Sequence, residues 1–445
     1  MFQVLIVGAS VGGLATALQL HHRDVSTFQV IDAASSSATV ATGRAVGLWT
    51  NAWQVLDALG IGAQVRQACP WNTTQFWVHD LHADDVSART SLRCFSLPKG
   101  QEFRRVPIKV LTETLAASIP PERLHYGTSL DRWLQEQEQE REARSGHSVR
   151  ANLDEVFVVG ADGARSMVRS RLLGCGEPLR HAGYVAHTGI AYLPRRNLSQ
   201  QDFKEADTLQ ELSCPGRVIL LLGRGDGTRL GVQRIDDQTV FWFFCENVRS
   251  SEKDELRASL PLQRGNETKQ RVWAVLSRRL PTPHGALWNA LEQLVECTPA
   301  AAASTYVCGD LFPPILEGIS VLNAAPVALV GDAAHPMTPN LSQGAGLALE
   351  DAWTLANLLA DQWTSRAGAA VEDFEQLGLQ IRQTYRKRRY WRASLLSLRS
   401  RLTGGVLQQQ LSSSVLVTLR NRILLPLALQ PQLFVSHART RRLRV

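Results

Sequence analysis

The chain has 445 residues, 44% of them hydrophobic, so it can bury a sizeable core and suits an enzyme of two connected domains plus a tail. It contains no run of about 18 uncharged apolar residues, and its seven cysteines lie far apart without a CxxC pair, which argues against a membrane span and against a metal or disulfide framework. The net charge is +7, yet residues 376–445 hold fourteen Lys or Arg and no Asp or Glu, so the remainder carries −7.

The N-terminal segment predicts a strand, a glycine turn and a helix. The apolar run at residues 3–7 leads into Gly-Ala-Ser-Val-Gly-Gly, and helical spacing of apolar residues follows to residue 20. Such a turn brings backbone amides and a helix N-terminus to a pyrophosphate, and an acid that ends the next strand can hold ribose hydroxyls. The predicted contacts of this dinucleotide site are Gly8, Ser10, Gly12, Gly13 and Asp32. Because the strand begins so early, we expect no leader and a soluble chain, in the cytoplasm or an organelle.

A second strand-then-glycine pattern occupies residues 156–166, with Asp162 and Gly163 at its turn. Just before it, residues 134–150 are charged and low in complexity, and predict either a loop or a solvated helix.

From residue 183 to about 324 the sequence is rich in strands, and Arg229–Arg234 with Thr239–Phe244 reads as a hairpin. Its aromatic residues can either wall a substrate site or fill a sheet core, since alternate residues of a strand face opposite ways.

The third pattern follows the apolar run that ends at Val330. Gly331 and Asp332 stand at the end of this strand, where a carboxylate can accept hydrogen bonds from the ribityl hydroxyls of a flavin. The loop after Pro339 and the small residues Gly344, Ala345 and Gly346 lead into a helix whose N-terminal amides can stabilise negative charge on the flavin ring. His335 lies inside this turn, where we expect a structural role for it.

The basic tail predicts an amphipathic helix over Tyr385–Leu402, a break at Gly404 and Gly405, and an apolar-faced segment from Ser412 to Leu429. Three roles stay open for it: packing on the body, dimerisation, or peripheral contact with a membrane. We favour packing, and we expect no nucleic acid as a partner.

Taken in this order, the three motifs resemble those of the FAD-dependent aromatic hydroxylases, the group A monooxygenases. The runs Gly47–Trp53, Arg105–Leu111 and His335–Leu341 are similar to plant and algal monooxygenases related to zeaxanthin epoxidase and to urate and salicylate hydroxylases. The resemblance covers roughly residues 2–400. Three departures stand out: Ser10 and Ser342 replace glycines, and Ile108 stands where relatives carry an arginine that contacts the cofactor.

The resemblance implies FAD as the cofactor, with NAD(P)H as co-substrate. It assigns the N-terminal motif to the ADP half, Asp162 to a turn that serves both nucleotides, Asp332 to the ribityl chain, and Arg44 to cofactor or substrate near the flavin. It also implies an α/β fold in which a Rossmann-like FAD-binding domain is interleaved with a mixed β-sheet substrate domain and followed by a helical tail. The predicted segments are 1–182 and 325–375 for FAD, 183–324 for substrate, and 376–445 for the tail.

The implied reaction is that of a monooxygenase, which uses NAD(P)H and O₂ to hydroxylate or epoxidise a small apolar or aromatic compound through a C4a-hydroperoxyflavin. No catalytic residue and no metal ligand is singled out by the sequence. Two alternatives stay open, since fold alone does not fix function. One is a flavin-dependent reductase or halogenase-like enzyme, and the other is a degenerate flavoprotein that serves as a binding module.

Overall fold

The computed structural model contains two large β-sheets, a short two-stranded ribbon and helices that cover them. It describes residues 2–36, 44–81, 91–145, 156–176, 179–194, 208–248, 265–279, 285–319, 325–365, 374–408 and 413–424. The strands of this part are β1 Gln3–Val7, β2 Phe28–Asp32, β3 Ala45–Trp49, β4 Gln75–Asp80, β5 Ser91–Ser96, β6 Phe103–Pro107, β7 Leu124–Tyr126, β8 Val156–Gly160, β9 Arg180–Tyr192, β10 Arg217–Leu222, β11 Arg229–Arg234, β12 Thr239–Asn247, β13 Ala303–Asp310, β14 Glu317–Ile319 and β15 Pro326–Leu329. The helices are α1 Val11–His22, α2 Thr50–Ala58, α3 Gly62–Ala68, α4 Ile108–Ala117, α5 Leu130–Ser145, α6 Thr208–Leu212, α7 Asn266–Arg279, α8 Ala286–Glu296, α9 Gly344–Ser365, α10 Phe374–Leu407 and α11 Ser414–Leu419.

The first sheet has six strands in the order β14-β15-β8-β1-β2-β7. β1 pairs in parallel with β2 and β8, β15 pairs in parallel with β8, and β14 is antiparallel at the edge. Helix α1 packs on β1 and β2, helix α10 packs on β14 and β15, and α1 also packs along α9. Because both of its faces are covered, a central strand such as β8 is buried at every residue, as its uninterrupted apolar sequence predicts. The two segments with predicted strands and turns, residues 3–20 and 156–166, therefore lie side by side, and their strands β1 and β8 are paired in one sheet.

The second sheet has seven strands in the order β13-β9-β12-β11-β10-β4-β5. The predicted hairpin is present, with β11 and β12 antiparallel and Val232 opposite Trp242. Strands β4 and β5 come from residues 75–96 and join strands from residues 180–310, so the chain crosses between the sheets more than once. This mixed α/β architecture, with a helical C-terminal region, confirms the predicted fold class.

Helix α10 packs one face against the first sheet. Leu377, Ile381 and Tyr385 are buried there, and the Tyr385 hydroxyl donates to the carbonyl oxygen of Leu329 in β15. The predicted break at Gly404 is wrong, because the helix continues to Leu407. A Cβ at Gly404 would overlap the side chain of Asn340, so this glycine permits close packing and does not end the helix.

The charged stretch at residues 134–150 forms the second half of α5, a solvated helix, as far as the structure describes it. All seven cysteines are free, and no group of metal-binding side chains occurs among the described residues. Within the same residues, no helix combines the length and the apolar character needed to cross a bilayer.

Candidate cofactor and substrate site

The turn between β1 and α1 is shaped by two glycines. Gly8 has a φ of +111°, a conformation that side chains other than glycine rarely adopt, and a Cβ there would overlap the carbonyl oxygen of Ala161. A Cβ at Gly13 would overlap the carbonyl oxygen of Gly8. The turn can therefore come close to the end of β8 only with glycine at both positions.

Asp32 lies at the end of β2, directly beside this turn. Its Oδ2 atom accepts a hydrogen bond of 2.6 Å from the amide of Ala9, and its Oδ1 atom accepts one of 2.8 Å from the amide of Ala34. A carboxylate has about four lone-pair sites, so two remain for other donors. Asp32 thus fixes the turn and retains the capacity to accept from ribose hydroxyls.

Ser10, the first departure from the glycine fingerprint, fits its position without strain. Its φ of −92° is open to any residue, and its Oγ atom donates to the carbonyl oxygen of Ala161 at 2.9 Å. The hydroxyl therefore joins the first motif to the second. Helix α1 begins here with no acidic residue in its first turn, so its N-terminus keeps the positive end of its dipole.

The Asp162–Gly163 turn is held by backbone amides. Asp162 Oδ2 accepts from the amides of Met167 at 2.6 Å and Val168 at 3.0 Å, while burial raises the pKa of this carboxyl group. The adjacent Arg169 is buried and donates to the carbonyl oxygens of Ala164 and Ala333. The sequence does not reveal this role of Arg169, because no local pattern shows that it bridges the second and third motifs.

The third motif places a carboxylate in the interior of the molecule. Asp332 follows β15 in the short turn Gly331–Ala333, and its side chain is accessible from the cavity described below. Protein atoms surround it, and this burial raises the pKa of Asp332 although the charges of His335 and Arg44 act in the opposite direction. His335 itself is fully buried and is not among the residues that line the cavity, which agrees with the structural role expected for it.

The second departure, Ser342, lies just before α9. Its φ of +51° and ψ of +42° are left-handed, the conformation that favours glycine. Ser342, Gly344 and Ala345 all line the cavity. The loop keeps the backbone shape that a glycine would allow, at the cost of some strain.

The three motifs meet at one cavity of about 990 Å³. Nine of the predicted site residues line it: Ser10, Gly12, Arg44, Gly163, Gly331, Asp332, Pro339, Gly344 and Ala345. The other five are not among the residues that line it: Gly8, Gly13, Asp32, Asp162 and Gly346. The third departure, Ile108, also lines the cavity.

These residues fit FAD. The turn at Gly8 and Gly13 leaves room only for backbone, as the approach of a pyrophosphate requires, and the N-terminus of α1, with no acidic residue in its first turn, suits the negative charge of a pyrophosphate. Asp32 and Asp332 lie at the ends of two strands of the same sheet, where they can accept from ribose and ribityl hydroxyls. The volume is at the upper end of ordinary small-molecule sites, as a dinucleotide together with a substrate would need.

The second sheet forms the facing wall of the cavity. Phe241, Phe243 and Cys245 of β12 line it, whereas Trp242 and Phe244, which alternate with them, pack in a core on the other side of the sheet. One face of this aromatic strand therefore lines the cavity, and the other face fills a core of the sheet. The wall offers flat apolar surface to an aromatic ring.

Two buried arginines accompany these phenylalanines. Arg105 lies 4.6 Å above the Phe241 ring and donates from Nε to Gln233 at 3.0 Å, and burial lowers its pKa to about 10. Arg229 lies 5.5 Å from the Phe243 ring and donates to Asn340 at 2.8 Å, and its Nε atom has no partner. Among the described residues, neither guanidinium forms an ion pair.

The cavity is therefore electropositive. The described residues that line it include five arginines and a single carboxylate, that of Asp332. The arginines are Arg44, Arg105, Arg165, Arg169 and Arg229. The signal was present in the sequence for Arg105, which stands in the Arg105–Leu111 run, but only the contact between distant strands shows that it lies over Phe241 of the aromatic wall.

Comparison with known proteins gives consistent results. Residues 1–180 and 321–380 match the family model described as "FAD binding domain". The chain is 27% identical to Monooxygenase 2 of Arabidopsis thaliana, over 91% of this chain and 89% of that protein, and 28% identical to 2-heptyl-3-hydroxy-4(1H)-quinolone synthase of Pseudomonas aeruginosa, over 80% of each. Its fold is similar to that of Klebsiella pneumoniae HpxO complexed with FAD and uric acid, with a TM-score of 0.67, 17% identity, and coverage of 98% and 96% of the two chains.

Proposed function

Because this chain belongs to the FAD-binding-domain family and its relatives are FAD-dependent monooxygenases, we propose that it oxidises NAD(P)H and inserts one atom of O₂ into an aromatic substrate. The second oxygen atom leaves as water, and NAD(P)H becomes NAD(P)⁺. The observation that carries this proposal is the single cavity whose one wall consists of the three nucleotide motifs and whose other wall is the aromatic strand β12.

FAD, when bound, supplies the redox chemistry that activates O₂. We assign the ADP half to the turn Gly8–Gly13 and to Asp32, and the ribityl chain to Asp332. The amides at the start of α9, from Gly344 to Gly346, would face the ring. Arg44 lines the same cavity and brings a positive charge to this side.

The protein itself positions the substrate and excludes water from the reacting atoms. Phe241 and Phe243 form a wall of β12, which hydrogen bonds to β9 and β11 on both sides hold rigid. An aromatic substrate lying on this wall would be fixed against the opposite side of the cavity, and the apolar surface would keep water away from the reacting atoms. We assign no general acid or base, because His335 does not line the cavity.

We further propose that the aromatic substrate carries an acidic group. Arg105 and Arg229 are buried cations beside the phenylalanines, and no carboxylate of the described residues pairs with either one. Leaving a buried cation unpaired is costly, and an anionic substituent on the substrate would offset that cost. Gln233, which binds Arg105, and Arg229 are four residues apart on β11, so they lie on the same face of the strand with Cα atoms on the order of 13 Å apart.

The first experiment follows the flavin spectrum of the purified chain. We expect the visible bands of oxidised flavin, their bleaching by NADPH or NADH without oxygen, and their return in air. Absence of these bands after reconstitution with excess FAD would contradict the proposal and favour a degenerate binding module. Bleaching by NAD(P)H with no O₂ uptake that depends on substrate would favour a reductase.

The acidic group is tested with matched aromatic acids and amides, such as benzoate with benzamide and salicylate with salicylamide. We expect the acids to perturb the spectrum of bound flavin at concentrations at least about tenfold lower than the amides, as a charge-assisted hydrogen bond would give. Arg105→Gln or Arg229→Gln should remove this preference, whereas Arg217→Gln, which removes a cation stacked on Trp77 away from the cavity, should not. Equal binding of acids and amides by a chain that retains FAD would exclude the anionic substrate and leave the monooxygenase proposal intact.

A further inference from the structure

Helix α10 carries a stripe of exposed apolar side chains along the face opposite its packed one. Trp391, Leu395, Leu398 and Leu402 are 78%, 56%, 39% and 63% exposed. They are spaced by four, three and four residues, so they form one line on the helix surface. Isolated exposed apolar residues are common in proteins, but a continuous line headed by a nearly fully exposed tryptophan indicates a surface that binds something.

This apolar stripe, Trp391 to Leu402, is not needed to hold the helix in place. The opposite face already packs on the body through residues such as Leu377, Tyr385, Ala393 and Leu396, which are all buried. The chain then continues into α11 and the turn that follows it, where Val415, Leu419 and Ile423 are exposed as well.

The positive charges beside the apolar stripe indicate which kind of partner binds it. Lys387 and Arg388 are exposed, and they precede Trp391 by four and three residues, one on each side of the line. Residues 376–445 contain no acidic side chain. A second copy of the chain placed symmetrically on the stripe would bring these cations together, which is unfavourable. An anionic lipid surface would attract them and would accept the tryptophan and leucines at the same time.

We propose that the apolar stripe of α10 docks the protein on the surface of a membrane that contains anionic phospholipid, with the helix parallel to that surface. The leucines and Trp391 enter the boundary between headgroups and acyl chains, and Lys387 and Arg388 bind headgroup phosphates. Docking in this orientation places the lipid behind the loop that lines the cavity. The packed side of α10 touches that loop, because Asn340 donates from Nδ2 to the carbonyl oxygen of Ser400 at 3.0 Å.

The test is co-sedimentation of the full-length protein with vesicles of phosphatidylcholine alone or with added phosphatidylserine. We expect binding that requires phosphatidylserine and that weakens as ionic strength rises, because salt screens the attraction of Lys387 and Arg388. Leu395→Ser combined with Leu402→Ser should reduce the partition coefficient at least about tenfold, because both side chains lose apolar burial in lipid. Leu379→Ser is the matched control, since Leu379 is 41% exposed on the same helix but off the stripe.

Thermal unfolding and flavin content of each variant establish that it is folded. Failure of the wild-type protein to bind vesicles with phosphatidylserine at low ionic strength would overturn the proposal. Equal loss of binding in the stripe variant and in the Leu379→Ser control would overturn it too. A dimer that the stripe substitutions convert to a monomer, without vesicle binding by either form, would identify a second copy as the occupant instead.

Discussion

The Nε2 atom of His335 lies 2.5 Å from Oδ2 of Asp351, and both side chains are fully buried. The same Oδ2 atom accepts from the amide of Gly331 at 3.1 Å, and Oδ1 accepts from Nε of Arg389 at 2.6 Å. A single carboxylate in α9 therefore connects the turn of the third motif to helix α10. Burial, the largest single influence, would lower the pKa of His335, but the charge and the hydrogen bond of Asp351, together with the charge of Asp332, outweigh it and the pKa is raised.

This pair predicts a pH dependence of stability. A histidine whose pKa is raised by folding stabilises the protein fully below its ordinary pKa of 6.5, and the contribution is lost as pH rises through the higher folded value. We expect the free energy of unfolding of the wild type to fall over that range relative to His335→Asn, by at most about 1.4 kcal/mol per pH unit. Urea unfolding of both proteins at a series of pH values measures the difference. Parallel curves for the two proteins would show that His335 does not titrate as inferred.

Arg389 is expected to be far more important for stability than its neighbour in sequence. It donates to Glu350 at 2.7 Å and to Asp351 at 2.6 Å inside the core, so Arg389→Met leaves buried carboxylates short of a cation and should cost about 3–5 kcal/mol. Arg388 is exposed, and Arg388→Met should change stability by no more than about 0.5 kcal/mol. Chemical denaturation of both variants measures the contrast. A similar small effect of both substitutions would contradict the assigned network.

Ser342 offers a stabilising substitution. Its left-handed backbone costs a serine about 1–2 kcal/mol, which glycine avoids although it has more entropy to lose on folding. We expect Ser342→Gly to raise the free energy of unfolding by about 1 kcal/mol. Ser277→Gly, at an exposed position within α7, should lower it by about 0.5–1 kcal/mol, so the two changes have opposite signs. Thermal melts of the two variants suffice, and a loss of stability in Ser342→Gly would exclude the strain.

Adjacent glycines in the first motif should respond differently to alanine. A Cβ at Gly13 would overlap the backbone of Gly8, whereas a Cβ at Gly12 would first meet a side-chain atom of Val330 at 3.2 Å. Overpacking against backbone predicts a loss of about 1–3 kcal/mol for Gly13→Ala, and less than about 1 kcal/mol for Gly12→Ala. Melting the two variants without added FAD separates this effect on folding from any effect on cofactor affinity. Equal stabilities of the two variants would show that the turn is loosely packed.

The sequence predicts the nucleotide half of the site well because its signals are local. Gly8, Asp162 and Asp332 each follow an apolar run by one or two residues, and parallel strands bring their ends to one edge. Arg105 stands in a run that resembles the family, but Arg169 and Arg229 have no such local pattern, because their positions follow from the pairing of strands far apart in sequence. Gly404 was misinterpreted as a helix end for the same reason, since its role depends on contact with Asn340, 64 positions earlier.

Helix α10 also determines where this protein can be divided. The family match ends at residue 380, but Arg389 and Arg392, which neutralise Glu350 and Asp351, lie beyond that point. If residues 1–380 were exchanged with those of a relative, the carboxylates would come from one protein and the arginines that neutralise them from the other. Chimaeras and truncated variants need to keep the first 365 residues together with α10 as a single inherited unit, in which a change on one side requires a compensating change on the other.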